Sequence, residues 1–138
     1  MSDIKPELSA RSKYWIPRHR YYELKHFCLQ YPEWKKQIAV LKFKMEAGGD
    51  VGTVSGSKKL HSRPTENLGI TLGELSGKVS MVERACMEAD RELWEFLLEA
   101  VTHGYSYVRL KTLCDIPCER DMFYDRYRKF FWLLDKNQ

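Results

Sequence analysis

Tyr105-Ser106-Tyr107-Val108-Arg109-Leu110-Lys111-Thr112-Leu113, interrupted by Cys114-Asp115-Ile116-Pro117 and resumed over residues 118–135, organises everything else in this chain. The first piece predicts a short helix with Val108 and Leu113 toward a core. The interruption is chemical: Pro117 has no amide hydrogen and pushes Ile116 out of helical dihedrals. Beyond it Phe123, Tyr127, Phe130 and Leu134 recur at i, i+4, i+7 and i+11, so a helix from about Glu119 carries one apolar face. Residues 105–135 therefore predict a helix-turn-helix. The remaining side of its second helix offers Arg120, Tyr124, Arg128 and Lys129, and the first helix adds Arg109 and Lys111. These side chains suit phosphates and base edges in a major groove.

Upstream, the same period recurs. Leu68, Leu72, Leu75, Val79, Val82 and Cys86 mark a long amphipathic helix starting near Thr65, with Gly69, Gly73 and Gly77 on a neighbouring stripe. Each glycine weakens a helix by about 1 kcal/mol relative to alanine. The stripe suits either close approach by another helix, as in a homodimer, or a soft helix stabilised on docking. Asp90 is placed to cap the next helix, whose apolar positions Leu93, Leu97, Ala100 and Val101 run to Gly104 as a stop. Trp94 and Phe96 widen its buried face.

Nearer the start, Pro17 suits an early helical position and is followed by Tyr21, Leu24, Cys28 and Tyr31 at helical spacing. Pro32 ends that helix near Gln30 and opens another, in which Trp34, Ile38, Leu41 and Met45 define the apolar side to about Glu46. Two helices joined so tightly predict a hairpin or a sharp corner. Residues 47–64 hold four glycines, three serines and no helical period, which predicts a flexible linker. Its Gly48-Gly49-Asp50-Val51-Gly52 lacks the strand and the Gly-Lys-Ser/Thr of a phosphate loop. Residues 2–12 read as a polar, poorly ordered terminus.

No segment alternates apolar and polar residues long enough for a strand. The expectation is an all-α protein: residues 1–46 an N-terminal basic helical pair, 47–64 a linker, and 65–138 a helical bundle ending in the helix-turn-helix. At 138 residues, 43% hydrophobic and 13% aromatic, the chain can bury one core. It has no apolar run of the roughly 18 to 20 residues that a bilayer requires, and residues 1–17 lack a secretory core. A cytoplasmic protein without membrane contact is expected. Cys28, Cys86, Cys114 and Cys118 lie on or beside apolar faces and read as reduced thiols.

Charge is segmented along the chain. Thirteen Lys and Arg against six Asp and Glu leave residues 1–63 at +7; three against eight leave 64–103 at −5; seven against five leave 104–138 at +2. A polyanion is drawn to both ends and repelled between them. Glu119 and Asp121 favour the helix dipole but repel phosphate. A DNA reader built this way depends on the basic N-terminal segment, on a dimer, or on a protein partner such as RNA polymerase.

Other chemistry finds little footing. Cys114-x3-Cys118, His26-x-Cys28 and His103 do not have the spacing of a zinc ribbon or finger, so no metal and no cofactor is expected. No nucleophile elbow or His-Glu-x-x-His pattern points to an enzyme. Tyr21, Tyr22, Phe27, Tyr31 and Trp34 could stack on bases, but their helical spacing reads as core.

Ile116-Pro117-Cys118, Phe123-Tyr124 and Arg128-Lys129-Phe130-Phe131-Trp132-Leu133-Leu134-Asp135-Lys136 resemble the C-terminus of small late-gene transcriptional activators of phages and prophages of Gram-positive bacteria, the RinA and ArpU type. Arg20-Tyr21-Tyr22-Glu23-Leu24-Lys25, Gln30-Tyr31-Pro32-Glu33-Trp34-Lys35 and Arg63-Pro64-Thr65-Glu66-Asn67 resemble their N-terminal and mid-chain signatures. The linker is unmatched, and Glu119, Asp121 and Asp125 stand where those proteins tend to carry a serine cap and arginines. The resemblance implies a helical protein whose last two helices are like the DNA-binding region of sigma factors, acting on double-stranded DNA as a transcription regulator. Two alternatives share this fold: a protein-interaction module engaging RNA polymerase or another phage or host protein, and a small terminase-like DNA-packaging subunit.

Overall fold

The structure, a computed structural model, describes residues 13–51 and 64–138, and among these it is all-helical, with no strand. Six helices follow one another: α1 (Arg18–Leu29), α2 (Tyr31–Val51), α3 (Pro64–Ala89), α4 (Trp94–His103), α5 (Tyr107–Cys114) and α6 (Arg120–Lys136). Helix α2 runs five residues into the stretch expected as a linker, and α3 takes up Pro64. The rest of that stretch, 52–63, and the expected polar terminus, 2–12, lie outside the described residues.

Contacts divide the chain into two compact units, and the division cuts the expected N-terminal pair. Helix α1 belongs with the C-terminal part of α3 and with α4, α5 and α6; α2 from Pro32 belongs with α3 up to Val79. In the first unit α1 packs on α4 and α6, and α5 packs on α4 and α6. The apolar spacing of α1, α4, α6 and the C-terminal part of α3 names the buried side correctly. Tyr21, Leu24 and Cys28 of α1, Val82, Ala85, Cys86 and Ala89 of α3, and Leu97, Ala100 and Val101 of α4 are buried. From α6 come Phe123, Phe130, Phe131 and Leu134. Burial raises the Cys28 and Cys86 thiols far above the ordinary thiol range, so both stay neutral as small hydrophobes. Cys114 departs from the expectation that every thiol lies near a core, for it is exposed.

Local chemistry sets the helix ends. Pro17 stands as the N-cap of α1 rather than inside it, with its carbonyl accepting from Tyr21 N at 2.9 Å. Asp90 Oδ1 accepts from Glu92 N at 2.8 Å and Leu93 N at 2.9 Å, fixing the turn that leads into α4. Gly104 stops α4 in the left-handed region, φ 73°, where a Cβ is strained. Its amide donates to Ala100 O at 2.8 Å.

The second unit has a smaller buried set, Trp34, Leu75 and Val79, with Lys78 Nζ 5.5 Å above the Trp34 ring. Val40 and Phe43 of α2 and Ile70 of α3 are exposed. Side chains of α2 and α3, among them Lys36, Val40, Leu41, Thr71 and Leu75, line an open cleft. At Gly69, Gly73 and Gly77 an added Cβ would meet nothing within 4 Å, so the glycine stripe faces open space.

Candidate nucleic-acid interface

Helix α5 is only eight residues long, and its position depends on what holds its two ends. Ser106 Oγ accepts from Arg109 N at 3.2 Å, a side-chain N-cap. At the other end Asp115 takes the left-handed conformation, φ 51°, and its amide donates to Lys111 O at 3.1 Å. Asparagine and aspartate adopt this region more readily than most residues, which turns the chain without glycine.

The connection to α6, residues 115–119, is tied down from both sides. Ile116 is fully buried, as are Leu110 of α5 and Phe123 of α6. Tyr107 makes two bonds across the corner: its hydroxyl donates to Cys118 O at 2.6 Å, and its amide donates to Tyr124 Oη at 3.1 Å. Lys111 Nζ donates to Ile116 O at 3.1 Å and lies 3.3 Å from Asp115 Oδ1.

The six residues proposed to contact nucleic acid fall into three groups. Arg109 and Arg120 are exposed, with their guanidinium carbons 5.0 Å from the Tyr105 ring centroid and 5.8 Å from that of Tyr124. Lys111 is exposed but engaged with the turn, and Tyr124 is half-buried with its hydroxyl serving as an acceptor for α5. Arg128 and Lys129 are half-buried. The first turn of α6 is thus its open part: Arg120, Asp121 and Met122 are exposed, and no residue from Phe123 to Asp135 is.

One expectation is reversed. Val108 and Leu113 do not enter a core; they are 68% and 57% exposed. A helix this short meets its neighbours along one line, and Leu110 occupies it. Val108, two residues before, is turned away from that line, and Leu113 lies in the last turn of α5, one residue before its end.

Sequence reasoning also missed Arg126. Its Nε donates to Asp90 Oδ2 at 2.9 Å, and Nη1 donates to Asp125. Burial alone would raise the Asp90 carboxyl, but the amides of Leu93 and Glu92 and the Arg126 guanidinium outweigh it and hold the group below the usual carboxylate range. The N-cap position of α4 is Leu93, not Asp90 as the spacing suggested; the Asp90 carboxylate instead fixes the turn before α4 and pins the middle of α6. No signal in the spacing pairs residues 90 and 126.

Among the described residues no group of three or more His, Cys, Asp or Glu side chains is placed to hold a metal ion, and no helix is long and apolar enough to cross a membrane. No family model, no curated protein and no solved structure matches the chain.

Proposed function

We propose that α5, residues 115–119 and α6 form a helix-turn-helix that binds duplex DNA, and that the protein is a sequence-specific transcription regulator of the phage late-gene kind, acting in the cytoplasm of a bacterial host. The observation that carries this reading is the pair of exposed guanidinium groups at one rigid corner. Arg109 and Arg120 rest on tyrosine rings while Tyr107 ties α5 to α6, so both are partly ordered before any ligand arrives. A planar guanidinium suits the O6 and N7 acceptors of guanine and the oxygens of a phosphate. The basic N-terminal segment adds charge that draws a polyanion. The test is selection of a binding duplex from a random pool, followed by affinity measurements on R109A and R120A. Loss of binding in both supports the reading, and unchanged binding in both removes the corner from the interface.

A second reading has its own observation. The same corner exposes Val108, Leu113 and Met122, and it carries Glu119 and Asp121 beside Arg120. Apolar side chains exposed among mixed charges suit a protein surface better than a phosphate backbone. RNA polymerase is the partner this reading names. Retention of polymerase without DNA, abolished in V108S/L113S, separates it from direct DNA reading.

A further inference from the structure

Charge along α6 is unevenly spread. Over residues 119–125 Arg120 stands against Glu119, Asp121 and Asp125, whereas over 128–136 Arg128, Lys129 and Lys136 stand against Asp135 alone. Asp135 is already occupied, since Arg20 Nε donates to its Oδ1 at 2.6 Å. The C-terminal half of the helix is therefore its cationic half. Lys129, Trp132 and Lys136 stand at i, i+3 and i+7, on one face.

The residues ahead of α1 fold back onto that end. The Tyr14 ring centroid lies 5.5 Å from that of Trp132, Lys136 Nζ lies 4.1 Å from the Trp132 centroid, and Lys13 Nζ lies 5.2 Å from that of Tyr14. The next residue, Trp15, leaves 43% of its surface exposed. Among the described residues neither Lys13 nor Lys136 has a carboxylate partner in a salt bridge. An ammonium on an aromatic face keeps its charge and its donors, and part of the rotamer entropy that a phosphate contact would cost has already been lost.

We propose that Lys13 and Lys136, held on Tyr14 and Trp132, form a backbone-phosphate site for duplex DNA. The proposal rests on the DNA-binding reading above and adds a second anchor to it. Helix α6 has 17 residues, hence a length of about 25 Å, which exceeds the major-groove width of about 12 Å. The two ends of α6 therefore meet a duplex at separate places, the first turn in the groove and the last turn outside it, where phosphates are the groups within reach. This division of labour also accounts for a base-reading end that carries three carboxylates: the electrostatic attraction comes from the other end.

The test uses the full chain and a short duplex of scrambled sequence, with binding followed by fluorescence anisotropy over a salt series. K13A/K136A is expected to lower the slope of log affinity against log salt by about two. K13R/K136R should keep the slope, and R109A/R120A should keep the contribution of these lysines. Both lysines are exposed, so the variants should melt as the wild type does. An unchanged slope in K13A/K136A, with the wild type still binding duplex, overturns this site and leaves the corner reading intact. Failure of the wild type to bind any duplex overturns both. Tighter binding to oligothymidylate, or to phosphatidylglycerol vesicles, than to duplex overturns the assignment in favour of a single strand or a lipid surface.

Discussion

The amide of Tyr107 donates to the hydroxyl of Tyr124 at 3.1 Å, so a side chain of α6 supplies an acceptor to the first turn of α5. The first amides of any helix lack intrahelical partners, and here a tyrosine from the following helix satisfies one. Tyr107 reciprocates through its own hydroxyl to Cys118 O. The angle between the two helices is thereby fixed by hydrogen bonds as well as by the buried trio Leu110, Ile116 and Phe123.

Replacing Tyr124 with phenylalanine removes that acceptor and keeps the ring. The expected cost is about 1 kcal/mol of stability, read as a lower urea midpoint with an unchanged slope. Guanidinium stacking at Arg120 should survive, so DNA affinity should fall far less in Y124F than in R120A. Equal losses would make Tyr124 a direct contact.

Ile116 lies in a five-residue connection and is nonetheless fully buried. Trimming it to alanine should cost about 2 to 5 kcal/mol, the range for a buried isoleucine. Thermal denaturation checks this. A cost below about 0.5 kcal/mol, typical of surface positions, would mean that the connection does not clamp the corner.

Asp90 gives the protein a defined acid sensitivity. Its folded-state carboxyl titrates below the ordinary value of 3.8, so the stability it contributes is fully present above that value and is lost as pH falls through the folded one. D90N should flatten this part of the acid limb in urea melts taken at decreasing pH. R126A should cost about 2 kcal/mol at neutral pH, the scale of a hydrogen bond to a charged group. An acid limb identical in wild type and D90N would show that other carboxylates set it.

Much of this architecture can be read from spacing, because a helix that buries one face must repeat its apolar residues every three to four positions. Leu93, Leu97, Ala100 and Val101 were legible in that way, and so were Phe123, Phe130 and Leu134, all of them buried. Stop signals were legible for a local reason: Gly104 adopts a φ that few other residues tolerate. What spacing does not carry is the identity of the neighbour. Helix α1 repeats its apolar residues as α2 does, and nothing in either pattern says that α1 packs on α4 and α6. Phe131 was missed for the same reason: it lies off the stripe drawn through Phe130 and Leu134, yet it is buried with the Tyr21 ring 5.1 Å away. Among the candidate contact residues, exposure separates Arg109 and Arg120 from Tyr124, and exposure depends on the neighbour.

Duplex binding by wild-type and R109A/R120A protein, measured on a duplex selected from a random pool, decides whether the α5–α6 corner reads DNA. The expected result is an affinity loss on the order of 1 to 3 kcal/mol for each arginine that contacts a guanine edge, with the melting temperature unchanged. A double variant that binds the selected duplex as tightly as the wild type would contradict the assignment.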